Sequence, residues 1–196
     1  TRTLRQGDLF FALKGITDGH QYVEKAYEMG CGGVVVSEEV PTSGEIPLIS
    51  VEDTLKALQK LARDYLKGMS LKKVAVTGST GKTTTKEILY TLLSAKYKTS
   101  KNIGNFNNHI GLPLTVFGVE ESHQAGIFEM GMSGLSEIDL MADIIRPDWA
   151  VITNVGVSHI EKLGSREMIL KAKMEIANYF QEGGTLILFD DNDLLH

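Results

Sequence analysis

Residues 74–89 read VAVTGSTGKTTTKEIL. A β-branched run gives way to two glycines, a lysine and three threonines, and a helical apolar pattern follows. Gly78 and Gly81 let a backbone turn tightly with its N–H groups inward, and a helix N-terminus adds positive dipole. With Ser79 and Thr80 between them, they outline a nest for phosphate oxygens. Lys82 can reach terminal phosphates. The hydroxyl of Thr83, ahead of Thr84, is a hard oxygen ligand suited to Mg²⁺. A standard phosphate loop has a glycine five positions before Gly81. Val76 stands there, so the loop is a shorter one. The plainer alternative is a glycine turn capped by threonines.

Three more positions could join such a site. Glu129 closes the otherwise apolar GIFEMG; a carboxylate there needs either a buried counter-charge or a metal. Asn154 and His159 follow in ITNVGVSH. His159 is either a loop residue or a ligand, although Mg²⁺ prefers oxygen. Lys173 falls on the stripe of Ile169, Ala172, Ile176, Ala177 and Phe180 when residues 166–180 are wound at 100° per residue. Either its stem lies along the apolar face and the ammonium reaches water, or the amine is buried and its pKa falls. A neutral amine can take up carbon dioxide as a carbamate, which turns a cation into a carboxylate ligand.

The elements that position these groups alternate. DLFFAL (8–13), GVVVS (33–37) and IPLISV (46–51) read as strands, with a short helix over 20–29 ending at Gly30. Leu55, Leu58, Leu61, Ala62, Tyr65 and Leu66 recur at helical spacing, which predicts a helix over 52–67. GMSLKK (68–73) is the expected junction, giving domains of 1–70 and 71–196. Beyond it, KVAVTG, AGIFEMG (125–131), WAVITNVG (149–156) and TLILFD (185–190) read as strands. A helix marked by Ile88, Leu89, Leu92 and Leu93, and others over 136–144 and 166–181, fall between them. The fold class is α/β: a small N-terminal α/β domain, then a parallel sheet of the phosphate-loop type with helices on both faces. Ligands gather at the carboxyl ends of such strands, where the residues singled out above fall.

The chain has 196 residues, a net charge of −5 and 42% hydrophobic residues. That charge argues against a nucleic-acid partner. Cys31 is the sole cysteine, so no intrachain disulfide forms, and a small buried side chain is expected there. No stretch has the length of a membrane span, and a cytoplasmic location is expected. Lys96, Lys98 and Lys101 form a basic cluster, either a solvated face or an attractor for anions.

VTGSTGKTTTKEIL resembles the nucleotide loop of the Mur ligases, whose version is the short Gly-x-x-Gly-Lys-Thr. TRTLRQGDLFFALKGITDGHQYVEKA resembles the uridine-nucleotide domain of that family. GNFNNHIGLPLTVF (104–117), FEMGMSGLSEI (128–138) and VITNVGVSHIEKLGSREMILKAKMEIA (151–177) resemble the branch that joins D-Ala-D-Ala to UDP-N-acetylmuramoyl-tripeptide (UDP-MurNAc-tripeptide). The resemblance implies that ATP is used, with Lys82 on its β- and γ-phosphates and Asn154 at the nucleotide. It implies Mg²⁺ at two sites, one on Thr83 and Glu129, the other on His159 and a carbamylated Lys173. Asn105, Asn107 and Asn108 would face the substrate; Thr1, Arg2, Asp18, Gly19 and His20 would lie around the uridine nucleotide. His109 departs from the family pattern, which is acidic there. Family members continue through the rest of the central sheet into a third domain, so the chain reads as a monomeric fragment without turnover. The alternatives are the ligase adding the third peptide residue, the folate polyglutamylating ligase, and a non-catalytic nucleotide-binding module.

Overall fold

The computed structural model describes residues 4–41 and 46–195, and the chain divides into two compact units, 1–61 and 62–196. Thr1 and Arg2 lie outside the described residues.

In the first unit, strand β1 (Leu9–Phe11) leads through a 3₁₀ turn (Gly19–Tyr22) into helix α1 (Val23–Glu28). Strands β2 (Gly33–Val36) and β3 (Leu48–Ser50) follow, and helix α2 (Thr54–Lys67) runs across the unit boundary. The strands pair in parallel in the order β1-β2-β3. Central β2 is buried throughout, as its unbroken apolar run requires. Phe10, Ala12, Val23, Ala26, Val34 and Val36 form the core, and Cys31 is buried among them. The helix expected over 20–29 is therefore two pieces, because Asp18 accepts the N–H of His20 and winds the first turn tightly. Helix α2 starts where Asp53 Oδ1 accepts the N–H groups of Leu55 and Lys56. Its buried side is Leu58, Ala62 and Leu66; Leu61 and Tyr65 are exposed, so the stripe is narrower than its sequence spacing implies. The division of the chain falls inside α2, upstream of the junction expected at 68–73.

The second unit contains strands β4 (Lys72–Thr77), β5 (Thr99–Lys101), β6 (Ala125–Glu129), β7 (Trp149–Ile152) and β8 (Thr185–Leu188). Between them lie helices α3 (Lys82–Ser94), α4 (Gly111–Val116), α5 (Glu137–Ile145), α6 (Ile160–Leu163) and α7 (Arg166–Met174), the last continued by a 3₁₀ turn at Glu175–Ala177. All strands are parallel, in the order β5-β6-β4-β7-β8. Alternation along β4 divides the core. Val74 and Val76 join Ile127, Leu89 and Leu93 on the side of α3. Ala75 joins Phe128, Met130, Ala150 and Ile152 on the side of α4, α5 and α7. Helices thus cover both faces of the sheet. α3 carries the chain from β4 outward to β5, and α5 carries it from β6 past β4 to β7, so the strand order reverses at β4. Loops leaving a reversal point open a crevice above the strand ends.

The stripe expected on α3 needs correction. Ile88 and Leu92 are 55% and 66% exposed, and the covered side is Lys86, Leu89, Tyr90 and Leu93. α7 is shorter than the 166–181 expected. No helix among the described residues is long and apolar enough to cross a membrane.

Candidate active site

Gly78 and Gly81 both have positive φ, +152° and +80°, and the loop between them is held from the β7 side. Thr153 donates its hydroxyl to Thr80 O at 2.6 Å. Asn154 accepts the Thr80 N–H at 2.9 Å and donates its amide to Thr80 Oγ1 at 2.7 Å, while its carbonyl takes the Ser79 N–H. Ser79 Oγ accepts the Gly156 N–H at 2.9 Å. Asn154 is therefore a brace for the loop as well as its neighbour. The close approach also explains Gly78: a Cβ there would lie 1.8 Å from Thr153 Oγ1. Thr153 cannot step aside without releasing Thr80. Gly78→Ala is expected to destabilise the unit by roughly 2–4 kcal/mol, with Thr153→Ala added to it restoring part of the loss. Urea denaturation of the single and double variants checks this; unchanged stability in the Gly78→Ala variant would contradict it.

Lys82 begins α3 and donates to Gly78 O at 2.8 Å, so its ammonium curls back over the loop. It lines a cavity of about 290 Å³ together with Gly78, Asn107, Asn108, His159 and Lys173. Four separate stretches of the sequence, the loop with Lys82, 107–108, 159 and 173, thereby line one cavity. His159 sits at the exposed rim with a left-handed backbone, φ 65°. Lys173 is 2% exposed. Burial, aided by the positive charge of Lys82, pulls its pKa from 10.5 to about 8. The alternative in which Lys173 reaches bulk water along its stem is thus excluded by its burial.

Glu129 does not line this cavity. It is buried at the end of β6, where Asn107 donates its amide to Oε1 at 2.8 Å. Asn102, which the motifs gave no reason to single out, accepts the Glu129 N–H at 2.6 Å and donates to its carbonyl at 3.3 Å. It thereby continues the β5–β6 ladder with a side chain. Lys86 lies 3.3 Å from Glu129 Oε2, so the buried ion pair open as one reading of Glu129 is present. Oε2 accepts no hydrogen bond among the described residues. Thr83 and Thr84 are exposed on the first turn of α3. Asn108 lines the cavity and also caps α4, accepting the N–H groups of Ile110 and Gly111. Asn105 is exposed in the same loop. Glu137, a further cavity residue without a signal in its spacing, holds the Ser133 backbone and hydroxyl.

The basic cluster is largely paired: Lys98 with Glu120 at 2.7 Å, and Lys101 with Glu87 and over the ring of Tyr90.

In the first unit, His20 Nδ1 lies 2.6 Å from Asp18 Oδ1, and Nε2 accepts the Ser37 N–H at 3.0 Å. The proton must then reside on Nδ1. Hydrogen bonds from the His20 backbone and ring hold the Asp18 carboxyl below its usual range. Gly19 packs so closely that a Cβ would meet Leu13 N at 2.6 Å. Asp18, Gly19 and His20 thus latch the loop after β1 to the end of β2. Asp18, His20 and Glu38 are the one metal-sized group of His, Cys, Asp and Glu among the described residues. With Nδ1 protonated and Nε2 engaged, the imidazole has no lone pair for an ion.

A parallel sheet whose central strand feeds a braced glycine loop and a Gly-Lys-Thr helix start defines a phosphate-binding α/β protein. The chain belongs to the Mur ligase family: the model of the Mur ligase middle domain matches residues 76–196. It is 49% identical, over 197 aligned residues, to the UDP-N-acetylmuramoyl-tripeptide–D-alanyl-D-alanine ligase of Bacillus subtilis, an alignment that covers 100% of this chain and 43% of that protein. Among solved structures it is similar to MurF from Acinetobacter baumannii, with a TM-score of 0.92 at 36% identity over 99% of this chain and 43% of that one. MurF ligase from Thermotoga maritima in complex with ADP matches with a TM-score of 0.89 at 38% identity, over 97% of this chain and 44% of that one. The chain thus spans less than half the length of these relatives.

Proposed function

We propose that this chain is the N-terminal and central part of an ATP-dependent ligase that joins D-Ala-D-Ala to UDP-MurNAc-tripeptide in peptidoglycan precursor synthesis in the cytoplasm. Residues 1–70 would bind the UDP-MurNAc-peptide and 71–196 the ATP. The observation that carries this reading is the convergence of Lys82, His159 and Lys173 on the braced loop, supported by the 49% identity along the whole chain.

A carboxylate does not react with an amine unaided. The tripeptide carboxylate attacks the γ-phosphorus, the bond to the ADP oxygen breaks, and an acyl phosphate forms. The dipeptide amine then attacks the acyl carbon and, after losing a proton, leaves an amide; inorganic phosphate departs. The loop N–H groups and Lys82 bind and orient the phosphates and offset charge on the transferring group. Asn107 and Asn108, which line the same cavity, would face the peptide substrate. Lys173 lines the same cavity as Lys82 and would serve there as the carbamate.

The donor set fits a hard cation: a buried carboxylate oxygen without a hydrogen bond and the hydroxyl at the start of α3. Glu129 and Thr83 would hold the first Mg²⁺, His159 and carbamylated Lys173 the second. Bound there, Mg²⁺ would supply positive charge that offsets the negative charge of the phosphates.

The test is phosphate release by the full-length protein with ATP, Mg²⁺ and UDP-MurNAc-tripeptide, with and without D-Ala-D-Ala. Release that requires the dipeptide and yields the pentapeptide is expected. Hydrolysis indifferent to the dipeptide would favour a related ligase, and binding without hydrolysis a nucleotide-binding module.

A further inference from the structure

α3 carries two lysines one helical turn apart, Lys82 and Lys86. Lys82 turns to the loop. Lys86, one turn further along the same face, is enclosed in the protein: at 1% exposure it is among the largest fully buried side chains. Its ammonium lies 3.3 Å from Glu129 Oε2 and 3.6 Å from Glu87 Oε1. Glu87 is already engaged by Lys101 at the surface. Glu129 is fixed on its other sides by Asn107 and by the Asn102 clasp on its backbone. Lys86 is therefore the one cation facing the oxygen of Glu129 that accepts no hydrogen bond among the described residues.

A buried carboxylate attracts a dication strongly, but an ammonium at this distance cancels most of that attraction where screening is weak. With Lys86 in place, Glu129 alone offers little to a free divalent ion. Phosphate groups on the adjacent loop add the negative charge that Lys86 has removed. We propose that Lys86 is a positioning residue that holds the place of the divalent cation at Glu129, so that metal binding is conditional on the nucleotide. The pair keeps the carboxylate buried and fixed in direction while no metal is there, and by reciprocity the metal then tightens the nucleotide. Removing Lys86 leaves Glu129 as an uncompensated buried charge, which a dication can satisfy without any phosphate.

This inference rests on the metal-nucleotide reading proposed above. Its test uses Mn²⁺ as a paramagnetic probe, with binding to the full-length protein followed by electron paramagnetic resonance with and without ADP. The unsubstituted protein is expected to bind Mn²⁺ far more tightly with ADP than without. Lys86→Met should raise the nucleotide-free affinity roughly tenfold or more and shrink the gain from ADP correspondingly. Lys86→Arg, which keeps the charge, should restore the dependence on ADP. Adding Glu129→Gln to Lys86→Met should abolish the acquired binding. Lys86→Gln and a thermal scan cover the case in which the methionine variant folds poorly: Mg²⁺ alone should raise the melting temperature of the neutral variants and leave that of the parent unchanged. If the parent binds Mn²⁺ with ADP and neither neutral variant gains binding or thermal stability from metal alone, the inference falls and the metal reading stands. If the parent binds no Mn²⁺ even with ADP, both fall.

Discussion

Lys82→Met in the full-length protein is expected to lower dipeptide-dependent phosphate release by roughly 10³-fold while leaving the melting temperature within a few degrees of the parent. Both halves follow from the contacts of Lys82. Its hydrogen bond among the described residues is to Gly78 O at 2.8 Å, a carbonyl at the cavity wall that water can satisfy once the amine is gone. Little folding energy is therefore at stake. In turnover the same ammonium would meet charge developing between the terminal phosphates, where a positioned charge counts most. Arginine should not rescue. The cavity is about 290 Å³ and already holds Lys173 on its wall, so a planar guanidinium has neither room nor the same point of charge. Steady-state kinetics alongside thermal unfolding checks the prediction. Near-parental turnover would remove Lys82 from the chemistry; loss of turnover with loss of fold would make it structural.

Much of the frame behind this prediction is legible in the sequence, and the exceptions have physical causes. The phosphate loop is visible because a β-branched run, two glycines and a helix start each require a distinct backbone. Lys173 is visible because a charge inside a regular apolar stripe violates the pattern. Strand β5 is not. Thr99–Lys101 is a short polar edge strand held by pairing to β6, and such pairing leaves no local period. α4 is hidden for the opposite reason: with Gly111, Leu112, Pro113, Thr115 and Val116 all buried, it has no polar face to set a rhythm.

Lys86 shows the limit most clearly. Ile88 and Leu92 look like the covered face of α3, yet solvent reaches them and the lysine is enclosed. Which side of α3 is inward is decided by the sheet it packs on, and Glu129, which Lys86 meets there, is 43 residues away by the numbering. Glu129 itself could be recognised as needing a partner but not assigned one. In the first unit, the Asp18–Gly19–His20 stretch stands out as a motif, while its use as an internal latch depends on Ser37 of a different strand end. Periodicity reports the water-facing side of an element; partners across the sheet come only with the fold.

Lys173→Met is expected to make the fold more stable near neutrality and the full-length enzyme less active. The amine has a pKa of about 8 in the folded protein against 10.5 for a free lysine. Below pH 8 both folded and unfolded chains carry the proton, and the folded state bears the whole penalty of a buried charge, about 3 kcal/mol. Between pH 8 and 10.5 the unfolded chain binds more protons than the folded one, so stability rises with pH across that window. Methionine keeps most of the volume and removes the charge. The variant should gain up to about 3 kcal/mol at pH 7, with the gain shrinking toward zero by pH 10.5. Turnover should fall roughly 10²-fold, because a group that shares the cavity with Lys82 is gone. A destabilising charge kept at that place is what a functional amine looks like, and its chemistry can be read directly. Near pH 8 a neutral fraction is available to attack carbon dioxide, forming an N–C bond and releasing a proton. ¹³C-bicarbonate should therefore give the parent a carbamate resonance that the Lys173→Met variant lacks. Urea titrations at pH 7 and 10.5 measure the stability half. A variant less stable than the parent at pH 7, or parallel to it across the window, would mean that Lys173 is held by favourable contacts and does not carry a buried charge at the folded state's expense.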